Sequence, residues 1–323
     1  MKKEIHMSQN LSIFEQAGKD IPTGLPDNKV STVFGATGLD WLVEQKAVYV
    51  QRPNTDMATH LGVTCTDPIP NLVANYRSDN GQYLGMVHPR GYKIVQNAEA
   101  FDFIDELPNF TFEKVGMFNG GKKVFVVGKS NEQIDIDGTG DLVDFYLTFL
   151  HGHDGKSGIR FILCPVRMFC MNQLNLMLES ATFKYNIAHT GDIQFKLAQI
   201  QMAIADSRNY VAGLQETIDF MINHKISKSI EQFTLELIPM DDEDPAIVVT
   251  RKEEARNTII SLYNDKPDLQ NYKGTQFGVI SAVSDYVSHA QPKRISHSTI
   301  DNTFIKNIEG SELLERTRLI LAA

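Results

Sequence analysis

The residues best equipped for chemistry crowd into one stretch: His151, His153, Asp154, Lys156, Ser157, Arg160, Arg167, Cys170 and Asn172. His151 and His153 stand two apart, so an extended chain puts both imidazoles on one face. With Asp154 beside them they have the ingredients of a metal centre. Such a site needs further ligands, and no second HxH and no HExxH occurs. Hydrogen bonding to backbone is the plainer use of loop histidines, and neither a metal ligand nor a cofactor is expected. Arg160 stands among Ile159, Phe161, Ile162 and Leu163. A buried guanidinium there needs a carboxylate, phosphate or carbonyl partner, whereas an outward one is an ordinary surface cation; both readings stay open. His153, Asp154, Arg160, Arg167 and Asn172 together have the chemistry to hold a phosphate-bearing ligand.

A second set of residues suits nucleic acid. Lys293 and Arg294 lie between His289 and His297, near Tyr286, and Lys184 and Tyr185 offer another cation beside an aromatic ring. Tyrosines flanked by cations suit base stacking with phosphate contact, though an interhelical loop has the same composition. His189, before Thr190, Gly191 and Asp192, stands at the start of a helical pattern. Thr190 or Asp192 can cap that helix, or the helix start can take an anion beside His189. The run from Asp135 to Asp141 imitates a calcium loop but has Tyr146 where the bidentate glutamate belongs, so it reads as an acidic turn. Gly120, Gly121 and Lys122 lack the spacing of a phosphate-binding loop.

The elements that must position these side chains follow from periodicity. Between 47 and 164 the period is two, with strands expected at 47–50, 72–77, 83–87, 110–117, 122–127, 141–149 and 158–163, and 92–95 as a further candidate. Asn80-Gly81 and Asn119-Gly120-Gly121 mark hairpin turns. Asn97 can cap a helix ending near Leu107, with Glu99 opposing its dipole. Beyond Pro165 the period becomes 3.6. Helices are expected at 166–178, 192–223, 227–237, 250–263, 274–287 and 298–321, the second with an apolar stripe through Leu197, Leu214, Ile218 and Met221. The expected architecture is α+β: an arm over 1–45 with a short helix at 39–44, an antiparallel-rich sheet domain over 46–190, and a mostly helical region over 191–323 packed on it.

The chain has 323 residues and a net charge of -9, so bulk charge draws it to neither nucleic acid nor anionic lipid, and any strand contact must be local. Three cysteines without a CxxC spacing fit reduced thiols in a cytoplasmic protein. The opening residues lack the apolar stretch of a secretory leader, and no run nears the roughly 20 apolar residues of a membrane span.

Three segments carry a family resemblance: 84–107, containing Tyr92, Gln96 and Asn97; 153–178, containing Asp154, Gly155, Arg167, Cys170 and Asn172, followed by His189 and Thr190; and 275–289. This pattern resembles the family called domain of unknown function 932, also known as phage/plasmid-like proteins. Gln173 stands where that pattern has threonine, and Lys156-Ser157 spreads out its D-G-S element. The resemblance implies residence on a mobile element and implies no known reaction. Three readings result. One is a homo-oligomeric, non-catalytic binder of single-stranded DNA or RNA with little sequence preference. The second is an enzyme or binder of a phosphate-bearing ligand at 154–172. The third is an inhibitor of a host defence protein.

Overall fold

The computed structural model describes residues 18–51, 66–107, 110–136, 138, 140–167, 172–173, 184–192, 195, 197–199, 202, 204, 207–289 and 311–322. In chain order the elements are β1 (Lys19–Asp20), α1 (Val30–Thr37), β2 (Val43–Gln51), β3 (Thr66–Arg77), β4 (Tyr83–Val87), α2 (Asn97–Phe101) running into a 3-10 turn (Asp102–Glu106), β5 (Thr111–Phe118), β6 (Lys123–Ile136), β7 (Asp141–Gly152), β8 (Ile159–Arg167), β9 (Asn172–Gln173) and β10 (Lys184–Ile187). Then come α3 (Ser207–Asn223), α4 (Ile230–Leu237), α5 (Ala246–Asp265), a 3-10 segment (Pro267–Tyr272), α6 (Gln276–His289) and α7 (Glu312–Ala322). The fold is α+β. One antiparallel sheet has the order β1-β5-β6-β7-β8-β10, with β9 on the end of β8, and a second has the order β2-β3-β4.

Hairpin chemistry sets both registers. Asn119 and Gly120 adopt positive φ between β5 and β6, and Gly81 does so between β3 and β4. The second turn joins Arg77 N–H to the Gln82 carbonyl at 3.0 Å, which puts Tyr76 opposite Tyr83. One face of the large sheet, carrying Val124, Val126, Phe149, Phe161 and Leu163, shares a core with α1, α2 and the helical region, including Leu214, Ile218, Phe233, Phe277 and Leu314. The apolar stripe expected through Leu197, Leu214, Ile218 and Met221 is buried. Ser229 caps α4 in a reciprocal box with Gln232.

Four expectations need correction. Residues 18–45 are no arm: Val30, Val33, Phe34, Leu39, Trp41 and Val43 lie in the common core. The early helix falls at Val30–Thr37 rather than 39–44, because it is Val30, Val33 and Phe34 that face inward at helical spacing. At the described residues of 166–178 the expected helix gives way to strand, with Val166 and Arg167 ending β8 and pairing with Gln173 and Asn172, and the rest of that stretch lies outside the described residues. A short apolar run does not distinguish a buried strand from a buried helix, and the sheet partner decides. The stretch 92–95 lies outside both sheets.

Candidate functional site

The last turn of β7 and the loops around it build a buried polar cluster. His151 is the last residue but one of β7, His153 follows the strand, His189 comes from the loop after β10, Tyr92 precedes α2 and Asn97 opens α2. Tyr92 stacks on His189 with ring centres 4.8 Å apart, His151 lies 5.1 Å from His189 and 4.2 Å from His153, and Trp41 meets His153 edge-on at 5.3 Å. All three imidazoles are buried.

Each imidazole meets an oxygen through one nitrogen. His151 Nε2 lies 3.0 Å from the Val95 carbonyl, His153 Nε2 2.8 Å from Asn97 Oδ1, and His189 Nδ1 3.2 Å from the Lys93 carbonyl. Those oxygens only accept, so these nitrogens carry the proton. Asn97 Oδ1 is fixed in turn, because its Nδ2 donates to the carbonyls of Leu39 at 2.9 Å and Trp41 at 3.4 Å. The opposite nitrogens, His151 Nδ1, His153 Nδ1 and His189 Nε2, are buried without a protein hydrogen bond. The Tyr92 hydroxyl leans toward Asn75 without closing a bond to it. Burial lowers all three proton affinities, that of His153 to about 3, and raises the Tyr92 phenol to about 12, so the cluster is neutral near pH 7. Neutral imidazoles with bare lone pairs suit metal binding. Among the described residues, however, no three His, Cys, Asp or Glu side chains form a group that could hold a metal ion.

The neighbouring loop is self-contained. Asp154 Oδ1 accepts from the amides of Lys156 at 2.8 Å and Ser157 at 2.7 Å, and Oδ2 accepts from the Ser157 hydroxyl at 3.0 Å. Burial raises the Asp154 carboxyl, but these bonds outweigh it and hold the group below its ordinary range. The loop lies backbone to backbone against β4: a Cβ on Gly85 would stand 2.4 Å from the Asp154 carbonyl oxygen. Asn75 on β3 donates to the His153 carbonyl at 2.9 Å, so both sheets are tied at this point.

The outward face of the small sheet carries the other notable arrangement. Glu44 and Lys46 on β2, Tyr76 on β3, and Tyr83 and Met86 on β4 share it, because Glu44 pairs with Tyr76, Tyr76 with Tyr83, and Met86 with Ala74, itself opposite Lys46. Glu44, Lys46 and Met86 are exposed and both tyrosines half-buried. The rings are 5.7 Å apart at 65°. Lys46 Nζ lies 5.1 Å over the Tyr76 ring and Lys122 Nζ, from the β5–β6 turn, 5.5 Å over Tyr83. On the inward side, Arg77 stacks on Trp41 at 4.5 Å and pairs with Asp79 at 2.6 Å, which anchors β3 beneath the tyrosines.

The residues expected to bind a ligand are therefore dispersed. His153 and His189 are buried, so neither can meet a macromolecule, and Asp154 is engaged in its own loop. Arg160 pairs with Leu150 and Asn186, on the sheet face opposite His151 and Ile159, and so does not join the histidines around one anion. Tyr185 is partly buried and donates to Gln199 Oε1 at 3.3 Å. Arg167, Asn172 and Lys184 are placed in strands by their backbone, and Lys293 and Arg294 lie outside the described residues. Tyr76, Tyr83, Lys46 and Lys122 were missed. Hairpin arithmetic across residues 78–81 already sets Tyr76 against Tyr83; only the approach of Lys122 from the other sheet needs the fold.

Fold and cluster define an α+β protein in which Tyr92, Gln96, Asn97, Asp154, Gly155 and His189, separate in sequence, gather where two antiparallel sheets meet. Over residues 83–309 the chain matches the family described as Domain of unknown function (DUF932), and it belongs to that family. No curated protein and no solved structure matches the chain. No described helix is long and apolar enough to cross a membrane.

Proposed function

We propose that this chain binds single-stranded nucleic acid as a homo-oligomer in the cytoplasm, without catalysing a reaction on it. The observation that carries the reading is the row Lys46, Tyr76, Tyr83, Lys122 on an outward sheet face. Tyrosine rings accept bases by stacking, at about 1–3 kcal/mol per base, and the lysines can swing from the rings to neighbouring phosphates. With a net charge of -9 the protein gains nothing from its bulk field, so binding is local, weak per protomer and salt-sensitive. An oligomer repeats the row and adds weak sites together. Glu44, Lys46 and Tyr76 precede the matched family span, so the activity is proposed for this chain and not for the family.

Fluorescence anisotropy with a labelled oligonucleotide tests the reading. Binding is expected at low salt and weaker at physiological salt. Tyr76→Ala and Tyr83→Ala should each weaken it about tenfold, and Lys46→Glu with Lys122→Glu should flatten the salt dependence. No binding by the intact protein at low salt overturns the proposal.

A further inference from the structure

We infer that Glu44 makes this face select single strands whose bases carry an exocyclic amino group. The inference rests on the strand-binding reading above and departs from the indifference to sequence expected of simple stacking. Glu44 stands directly opposite Tyr76 across the β2–β3 ladder, on the same outward face, and it is exposed. Directly opposed side chains on one face have Cβ atoms about 5 Å apart. A base stacked on Tyr76 therefore brings its edge within reach of the Glu44 carboxylate. Lys46, two residues along β2 on the same face, is already over that ring. One ring thus has a stacking surface, a cation for the phosphate and an anion for the base edge.

A carboxylate near a polyanion weakens binding unless something on the strand donates to it. An ionised carboxylate only accepts. The amino groups of cytosine, adenine and guanine can supply the hydrogen bond. Thymine and uracil offer one donor, the N3–H, set between two carbonyls, so a carboxylate that reaches it also meets the repulsion of O2 and O4, which an exocyclic amino group at the corner of a base does not impose. Glu44 thereby converts a stacking platform into one that penalises thymine and uracil.

The test uses the full-length protein at low salt and neutral pH with oligo-dC, oligo-dA and oligo-dT of equal length. Oligo-dC and oligo-dA should bind on the order of tenfold tighter than oligo-dT. In Glu44→Gln the amide both donates and accepts, so oligo-dT should gain affinity until the three strands bind alike. Glu44 is exposed on its strand, and a matching thermal midpoint for the variant checks that its fold is intact. Equal wild-type affinity for all three strands overturns the inference while leaving strand binding in place, as does a preference that persists in Glu44→Gln. Failure of every strand to bind overturns the underlying reading, and the inference with it.

Discussion

At the scale of single residues, the buried histidines dominate. Each holds one hydrogen bond to an oxygen of the segment 93–97 and leaves its second nitrogen buried without a protein partner. Their linkage to pH follows from burial. Below about pH 6.5 an unfolded histidine takes up a proton, whereas the folded imidazoles resist it, His153 down to about 3. The unfolded state then binds more protons than the native one. Stability contributed by His153 is present above about pH 6.5 and is lost as pH falls toward 3, at about 1.4 kcal/mol per pH unit, and His151 and His189 act in the same direction. Denaturant midpoints should therefore drop between pH 7.5 and pH 5, and His153→Phe should flatten the slope. A wild-type profile that stays level over that interval contradicts neutral burial.

At the scale of elements, the junction of the two sheets depends on how closely β4 approaches the loop after β7. Gly85 leaves room for the Asp154 backbone, and Gly155, at positive φ, does the same toward the Met86 carbonyl. Gly85→Ala forces a methyl against the Asp154 main chain, and overpacking of this kind costs about 1–3 kcal/mol or more. Gly91 has open space around its Cβ direction and an ordinary φ, so Gly91→Ala should stay within about 0.5 kcal/mol. Thermal melts of the two variants should differ by several degrees, and strand affinity should fall in Gly85→Ala, because β4 carries Tyr83 and Met86. Equal melting points would show that the junction yields easily.

At the scale of the whole molecule, the segment 18–45 cannot be trimmed as an appendage. Phe34 is buried against Phe101 with ring centres 5.5 Å apart, and Trp41 bridges Arg77 and His153. Deletion of residues 1–45 removes these anchors and the start of β2, and it should leave an unfolded or aggregated product. Phe34→Ala alone should cost about 3–5 kcal/mol in chemical denaturation. A folded, cooperatively melting deletion would contradict this packing. The proposed oligomer is then best tested by light scattering of the full chain, where a monomer at every concentration removes the additive strand binding argued above.

Much of this architecture was legible from residue order alone. Period-two alternation from 47 onward, the Asn-Gly turns and the change to period 3.6 are local signals, and they determine the sheet-then-helix order, the positions of both hairpin turns and the buried stripe of α3, whereas the register shifts within both hairpins are not local signals. Sequence also picked out the histidines, Asp154 and the residues of the family pattern. What it could not settle depends on contacts between segments distant in sequence. Whether Val166 and Arg167 continue a strand depends on the partners that Val143 and Asp144 provide on one side and Asn172 and Gln173 on the other. Arg160 and His151 are nine residues apart yet on opposite faces of one sheet, so a cluster dense in sequence does not form a single site. Lys122 reaches Tyr83 only because the turn of one sheet lies beside the edge of the other. His189 meets His151 only because β10 pairs with β8, a closure that 3.6- and two-residue periodicities do not encode. Local spacing determines which face a side chain takes on its own element; only the packing of elements decides what that face meets.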